Sequence, residues 1–273
     1  MPIITMSRQM GTGAHQVARD LAKRLKYTLV DGDKIAELAP RYGLTRETLE
    51  RVDEKPPVYS TAEDRQQAAR LNTIELILLD CAKQGNVILY GRGGQDLLSG
   101  LRNVLRVRFI APFEERIERY AESEWMDPDL AREIIRKSDH QRGGFIHYYF
   151  DRDWNDPLGY DLLFNTSQLS GAAIVESIVA AARDAELAQA DQDADGLLDD
   201  MILRKKVETA LLLSDKVEYL HFRVLAENGF ISVSGHVHSE QERSHVLSII
   251  GTVPGVIDVE EKLQVVAIKS YRE

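Results

Sequence analysis

Two glycines separate an apolar segment from an amphipathic one in Ser7-Arg8-Gln9-Met10-Gly11-Thr12-Gly13-Ala14-His15. Pro2 to Met6 predicts a buried strand, and Val17, Leu21 and Leu25 predict one face of the helix that follows. Glycines at positive φ let successive backbone N–H groups converge at the positive end of a helix, where they can bind a phosphate. The sequence therefore predicts a phosphate-binding loop. The alternative is an ordinary turn between strand and helix that binds nothing.

The loop differs from the P-loop pattern G-x-x-x-x-G-K-[ST], in which the lysine contacts the β- and γ-phosphates and the hydroxyl contacts Mg²⁺. When the two are aligned on Gly13, Arg8 replaces the first glycine, Ala14 the lysine and His15 the hydroxyl residue. Backbone groups would then have to do most of the binding. The predicted cofactor-binding residues are Arg8, Gly11, Thr12, Gly13, Ala14 and His15.

Two acidic residues, Asp31 and Asp33, follow the next predicted strand, Thr28 to Val30. They would lie at the carboxyl edge of a parallel sheet, where open α/β folds bind ligands. We expect Asp31 to hold a water bound to Mg²⁺ or to accept a substrate proton, and Asp33 to bind a substrate hydroxyl. The alternative is a turn in which Asp33 caps a helix that starts at Lys34.

A second glycine turn, Gly91-Arg92-Gly93-Gly94, follows the predicted strand Val87 to Tyr90. The guanidinium of Arg92 is a planar fork that suits a phosphate or a carboxylate. We expect Arg92 to bind the substrate, although a plain turn would explain the glycines equally well.

A cationic helix is predicted from Asp129 to Arg142, and Gly143-Gly144 after it would permit movement. We expect a lid whose arginines face phosphates, with the aromatic segment Phe145 to Trp154 packing against it or covering the substrate. The alternative is a charged face exposed to solvent. The cations of the helix are Arg132, Arg136, Lys137 and Arg142.

Strands alternate with helices as far as a closing helix through Ile174 and Val179, which predicts a doubly wound parallel sheet. Apolar residues from Leu105 to Phe109 alternate with Arg106 and Arg108, so this strand is predicted to have one solvated face near an edge of the sheet. Tyr160 to Thr166 predicts the last strand.

The composition suits a folded chain of two cores, with 273 residues of which 44% are hydrophobic. The net charge of −10 divides into −3 for residues 1–185 and −7 for residues 186–273, which argues against a nucleic-acid or anionic-lipid surface on the second part. Cys81 is the only cysteine, so neither a disulfide nor a cysteine zinc site is expected within the chain. Because no apolar run is long enough to span a membrane and no signal-peptide pattern is present, we expect a cytoplasmic protein.

A different pattern begins after the acidic segment 185–200. Asn228-Gly229 between alternating apolar residues predicts a β-hairpin, and Ser239 to Glu242 is a capping box that opens a helix. His236 and His238 share a strand face and could chelate a metal, but a solvated face explains them as well, and we assign no protein metal ligand.

The first part of the chain, residues 2–183, resembles the cytidylate kinase-like family, a divergent branch of the P-loop nucleoside monophosphate kinases. Other members tend to lack the loop lysine and to carry an arginine after the second glycine pair, where this chain has His15. The resemblance rests on Ile4 to Arg8 with Gly11 to Gly13, Val87 to Gly93, Ala111-Pro112 with Arg116, Asp139 with Arg142, and Tyr160 to Leu162 with Asn165-Thr166.

This resemblance implies a P-loop α/β core, a helical lid, and phosphoryl transfer from ATP to a small acceptor with Mg²⁺ as cofactor. Asp31, Arg136 and Arg142 would be catalytic. The substrate would be bound by Asp33, Arg92, Arg116 and Asp139.

Residues 201–267 resemble a BON domain in their order of helix, hairpin, helix and strand. BON domains are thought to bind phospholipids or to act as interaction modules, and we carry over the fold and not the lipid. The expected organisation is a kinase-like P-loop domain (1–184), an acidic linker (185–200) and a small α+β domain (201–268).

The sequence favours an ATP-dependent phosphotransferase acting on a nucleoside monophosphate, cytidylate or a similar small acceptor, with a C-terminal regulatory or interaction domain. A catalytically impaired nucleotide sensor and an assembly protein are the alternatives. A nucleotide is the expected small-molecule partner. A second copy of the chain or another protein is expected to bind the C-terminal domain. Neither nucleic acid nor membrane lipid is expected as a partner.

Overall fold

The computed structural model describes residues 2–50, 62–189, 194–217 and 222–266. Contacts between residues divide it into two compact units. Among the described residues, unit 1 comprises 2–38, 81–189 and 194, and unit 2 comprises 39–50, 62–80, 195–217 and 222–266. The domain boundaries expected from the sequence remain a prediction.

A five-stranded parallel sheet organises unit 1, in the order β2-β3-β1-β4-β5. This confirms the doubly wound α/β fold, because each parallel connection returns through helical structure. The strands are β1 Ile3–Arg8, β2 Thr28–Val30, β3 Val87–Tyr90, β4 Val104–Ile110 and β5 Leu162–Asn165.

Helices follow the strands, together with 3₁₀ turns at Ala39–Tyr42 and Pro157–Gly159. The helices as far as the end of the parallel sheet are α1 Ala14–Leu25, α2 Gly32–Leu38, α3 Arg46–Glu50, α4 Ala62–Gln84, α5 Gly94–Leu97, α6 Phe113–Glu124 and α7 Pro128–Phe150. Those that follow are α8 Gly171–Ala182, α9 Ala185–Gln189, α10 Ala194–Leu212 and α11 Glu240–Thr252. None of the helices in the described ranges is long and apolar enough to cross a membrane.

The core of unit 1 fixes where β1 ends and α1 begins. Ile4 and Met6 of β1 are fully buried together with Val17 and Leu21 of α1, in the positions expected from the sequence. Ile178 of α8 joins the same cluster. The loop between β1 and α1 is therefore held at both ends by packed elements.

Helix α7 is longer than predicted and continues through Gly143-Gly144 to Phe150. The expected break after Arg142 is therefore wrong. Phe145 and Ile146 are buried, so packing of the last turns offsets the low helix propensity of the glycine pair. The aromatic segment extends the helix instead of following it.

The predicted solvated face of β4 is also wrong, because Arg108 is only 1% exposed. Its guanidinium donates to Ser7 Oγ at 2.8 Å and to Asn155 Oδ1 at 3.2 Å, and it lies 3.7 Å from the centre of the Trp154 ring. Strand β4 lies between β1 and β5 and not at an edge.

Unit 2 contains a three-stranded sheet formed by β6 Phe222–Glu227, β7 Phe230–Val237 and β8 Asp258–Val265. Strands β6 and β7 pair antiparallel around Asn228 and Gly229, both at positive φ, which confirms the predicted hairpin. Ser239 Oγ accepts the N–H of Glu242, as the capping box predicts.

A buried cation in unit 2 joins α10 to α4. Lys205 Nζ lies 2.6 Å from Glu75 Oε2 and 3.0 Å from Glu208 Oε2, and it donates to Asn72 Oδ1 at 3.3 Å. Burial lowers the pKa of Lys205, but the two carboxylates outweigh burial, so the pKa is raised. The lysine is therefore charged at neutral pH and lies between two carboxylates, the buried one of Glu75 and the partly buried one of Glu208.

We expect Lys205→Met to lower the free energy of unfolding of unit 2 by about 3 kcal/mol, because it leaves the buried carboxylate of Glu75 and the partly buried one of Glu208 without a countercharge. Urea denaturation followed by circular dichroism measures the change. The matched control is Lys206→Met at the exposed neighbouring position. Equal effects of the two substitutions would contradict a stabilising role for the cluster.

Candidate functional site

The loop between β1 and α1 has the backbone geometry of an anion site. Gly11 and Gly13 adopt φ values of 80° and 74°, and Gly13 directly precedes the first turn of α1. Among the described residues, the N–H groups of Gly11 and Gly13 have no hydrogen-bond acceptor. Unpartnered N–H groups at the start of a helix bind anions well.

Gly11 is required where it stands. A Cβ at this position would lie 2.6 Å from the carbonyl oxygen of Arg116, which is backbone and cannot move aside. Thr12 closes the turn, because its hydroxyl donates to the carbonyl of Gln9 at 2.9 Å and its side chain is buried. The hydroxyl of Thr12 is thus occupied within the turn.

A buried ion pair holds the loop from beneath. Arg116 Nη1 lies 2.7 Å from Asp139 Oδ2 and donates to the carbonyl of Met10 at 2.9 Å, while Asp139 Oδ1 accepts the N–H of Met10 at 3.0 Å. Arg116 Nε donates to the carbonyl of Ala111. Both side chains therefore position the loop, and their expected role in substrate binding stays a prediction.

A cavity of about 270 Å³ lies over the loop. It is lined by all six predicted cofactor-binding residues and by Arg142, one of the predicted catalytic residues. Arg8 lies over the ring of Tyr90 at 4.5 Å, and Arg142 Nη1 donates to the carbonyl of Arg8 at 3.5 Å. The cavity therefore combines backbone N–H groups with arginines.

Arg119 also lines this cavity, and it was not among the predicted site residues. Its Nη1 donates to the carbonyls of Gly11 and Thr12 at 3.4 and 2.9 Å, and to Thr166 Oγ1 at 3.1 Å. In the sequence, Arg119 was indicated as a site residue only by its position one helical turn after Arg116. That spacing could not show that the loop lies against this face of α6.

Arg119 also lines a second cavity, of about 500 Å³, which shares Thr12 and Gly13 with the first. Away from the loop, this cavity is bounded by apolar residues, among them Val17, Leu169 and Ile174, and by Thr166 beyond β5. The second cavity is thus larger than the first and adjoins it at the loop, with apolar residues on part of its wall and the charged residues Asp20, Arg24 and Glu176 on another part.

His15 and Asp31 meet beside the loop, with His15 Nε2 3.0 Å from Asp31 Oδ2. Asp31 Oδ1 accepts the N–H of Lys34 at 3.1 Å. Asp31, and not Asp33, therefore caps α2, which begins at Gly32. Burial raises the pKa of Asp31, but the hydrogen bonds from His15 and Lys34 outweigh it and lower the pKa, so the carboxylate is ionised at neutral pH.

The other predicted residues lie outside the two cavities. Asp33 is exposed, and Arg92 is part of the turn after β3 with φ of 57°. Arg136 is exposed with its guanidinium 5.6 Å from the ring of Phe113. The structure therefore brings together the cofactor-binding set with Asp31 and Arg142, and leaves the acceptor-binding residues as predictions.

Comparison with protein-family models identifies the family of this chain. Residues 3–168 match the model of the cytidylate kinase-like family, which is more than half of the chain. The chain belongs to the cytidylate kinase-like family. Residues 199–267 match the BON domain, so both resemblances expected from the sequence are confirmed.

Several relatives of this chain are named cytidylate kinase. The cytidylate kinase of Methanocaldococcus jannaschii is 29% identical over 170 residues, which cover 61% of this chain and 89% of the relative. That of Methanothermobacter thermautotrophicus is 31% identical over 175 residues, or 63% of this chain and 99% of the relative. These similarities support a nucleotide kinase-type phosphotransferase.

A solved structure agrees at the level of the fold. An uncharacterized protein from Eubacterium ventriosum aligns with a TM-score of 0.50 and 22% identity. The alignment covers 66% of this chain and 97% of that protein.

We expect Asp139→Asn to lower the free energy of unfolding by about 3 kcal/mol, because it leaves the buried guanidinium of Arg116 without an anion. Asparagine can still accept the N–H of Met10, so the substitution removes the charge and not the hydrogen bond. Urea denaturation measures the loss. Glu133→Gln, at an exposed position of the same helix, is the control, and an equal loss in both variants would contradict the role of the pair.

Proposed function

We propose that this protein transfers the terminal phosphoryl group of ATP to a nucleoside monophosphate, with cytidylate or a similar small phosphate ester as acceptor. An acceptor phosphate oxygen forms a bond to the γ-phosphorus while the bond from that phosphorus to the bridging oxygen breaks, which releases ADP. The observation that carries the proposal is the cavity over the loop. It combines unpartnered N–H groups with three arginines, Arg8, Arg119 and Arg142.

The arginines answer the absence of the P-loop lysine. Phosphoryl transfer depends on positioning and on stabilising the charge of the phosphoryl oxygens, and loss of one donor typically costs about 10²–10³ in rate. Guanidinium groups stay charged at neutral pH and can contact two oxygens at once. Arg142, on the predicted lid helix, and Arg8 supply charge from two sides of the loop.

We assign the nucleoside of ATP to the larger cavity. This cavity shares Thr12, Gly13 and Arg119 with the cavity over the loop, which we call the phosphate cavity, so a ligand held by the loop can extend toward it. Its apolar side suits a base. In this proposal Arg119 binds the nucleotide where phosphate and nucleoside join, in addition to holding the loop.

The acceptor is assigned to Asp33 and Arg92 by the family resemblance. A divalent cation bound with ATP would neutralise phosphate charge next to the loop. The residues present fit Mg²⁺ only in part, because Asp31 offers an oxygen ligand whereas His15 offers a nitrogen where the P-loop pattern has a hydroxyl.

The proposal is tested by coupling ADP production to a panel of nucleoside monophosphates with purified full-length protein. We expect turnover with a pyrimidine monophosphate. We also expect Arg92→Ala to reduce kcat/KM for the acceptor about 100-fold, because a charge-assisted contact to a phosphate is lost. The kcat/KM of Arg92→Lys, which keeps the positive charge but loses the planar guanidinium, should lie between that of the unmodified protein and that of Arg92→Ala. Arg102→Ala, at an exposed position, is the control.

The outcomes separate the hypotheses. ATP binding without turnover on any acceptor would favour the nucleotide sensor, and the absence of both would favour the assembly protein. Full activity in Arg92→Ala would contradict the assignment of Arg92 to the acceptor site but not the proposed kinase activity.

We expect Arg119→Ala to weaken ADP binding roughly 10- to 100-fold, because a charged donor at the phosphate and its bonds to the loop are lost together. Isothermal titration calorimetry measures the change. Arg19→Ala, on the exposed side of α1, should bind like the unmodified protein. Unchanged affinity in Arg119→Ala would place the nucleotide elsewhere.

A further inference from the structure

His15 puts an imidazole at the position of the P-loop hydroxyl, two residues after Gly13. A serine or threonine there contacts the cation of the bound nucleotide. In this protein the same position carries a nitrogen donor, and its Nε2 already lies 3.0 Å from a carboxylate oxygen of Asp31. His15 is also one of the residues that line the phosphate cavity.

Both side chains are held in place by other groups. The ring of His15 packs against Tyr90, with the ring centres 5.3 Å apart. The second oxygen of Asp31 is occupied by the N–H of Lys34, which leaves Oδ2 directed to His15. The side chains of His15 and Asp31 are 47% and 17% exposed, and His15 lines the cavity, so a ligand there can reach the imidazole.

The distance between the two donor atoms suits two adjacent ligands of one cation. In an octahedral site with bonds of about 2.1 Å, adjacent donor atoms are about 3 Å apart. The pair now separated by 3.0 Å could therefore bind a cation in place of its shared proton if the two side chains turn their lone pairs toward one point, without a change in the distance between the donor atoms. Within the described residues, no cluster of three or more histidine, cysteine or acidic side chains could hold a metal ion. The remaining ligands would come from phosphate oxygens and water.

We propose that His15 Nε2 and Asp31 Oδ2 together bind the divalent cation of the nucleotide, and that they select Mn²⁺ or Co²⁺ over Mg²⁺. Mg²⁺ strongly prefers oxygen ligands, whereas imidazole favours later divalent metals in the order of the Irving–Williams series. The carboxylate and the phosphates keep the site accessible to Mn²⁺. This inference rests on the proposed function, because the nucleotide supplies the other ligands.

The test measures metal binding directly. Full-length protein is saturated with ADP and titrated with Mn²⁺ or with Mg²⁺, and free Mn²⁺ is followed by electron paramagnetic resonance. Pulsed measurements on the bound Mn²⁺ then report whether a ¹⁴N nucleus is directly coordinated. We expect ¹⁴N coupling, and an affinity for Mn²⁺ at least 10-fold above that for Mg²⁺.

Two variants separate the ligands. His15→Ser restores the P-loop hydroxyl, and we expect it to lose the ¹⁴N coupling and to bring the ratio of Mn²⁺ to Mg²⁺ affinity down about 10-fold. Asp31→Asn should lower the affinity for both Mn²⁺ and Mg²⁺ and should keep the ¹⁴N coupling. His236→Ser, at an exposed histidine of β7, should change neither quantity. Circular dichroism and ADP affinity without metal establish that each variant is folded.

Bound Mn²⁺ without ¹⁴N coupling, or an unchanged affinity ratio in folded His15→Ser, would overturn the inference and leave nucleotide binding intact. If His15→Ser does not fold, His15→Gln takes its place and must also lose the ¹⁴N coupling. Failure of the unmodified protein to bind ADP, with or without metal, would overturn the proposed function itself.

Discussion

The geometry of the glycine loop depends on one ion pair, between the buried Arg116 and the partly buried Asp139. Backbone N–H groups can hold an anion only if the turn keeps its shape before the anion arrives, and two glycines at positive φ give that turn little stiffness of its own. Arg116 and Asp139 supply the stiffness by bonding both the N–H and the carbonyl of Met10. A pair of this kind contributes little net stability, because desolvation offsets the attraction. What it contributes is a fixed position for the loop.

The same constraint explains where the positive charge comes from. Ala14, at the position of the P-loop lysine, is 2% exposed and belongs to the apolar cluster of Val17 and Leu21. This position thus contributes to the core, so in the proposed function positive charge has to come from outside the loop. Arg119 of α6 and Arg142 of α7 line the cavity, and each also bonds a carbonyl of the loop or of β1. The arginines that would supply the charge are therefore held in place by bonds to the backbone of this region.

Periodicity and turn chemistry predicted the strands, the first helix and the Asn228-Gly229 hairpin, because these depend on neighbours in sequence. The six residues predicted to bind the cofactor all line the cavity over the loop, and their role in binding stays a prediction. It did not predict the burial of Arg108, because alternation with apolar residues is the same whether the other face meets water or the ring of Trp154. Arg119 was missed for a related reason, since its partners Gly11 and Thr12 are more than a hundred residues away. Contacts of this range are fixed by the packing of α6 and not by any local pattern.

The C-terminal part of the chain is tied to the kinase-family part by charge as well as by sequence. Lys205 lies within the BON-matching segment and Glu75 within the segment that matches the kinase family, yet the two form one buried cluster in unit 2. Three polar side chains surround the Lys205 ammonium, and such a cluster requires a specific arrangement of its helices, which an apolar contact would not. Removing the C-terminal segment would take away the cation that Glu75 and Asn72 face. The carboxylate of Glu75 therefore has its countercharge in the BON-matching segment, and its environment is complete only in the full chain.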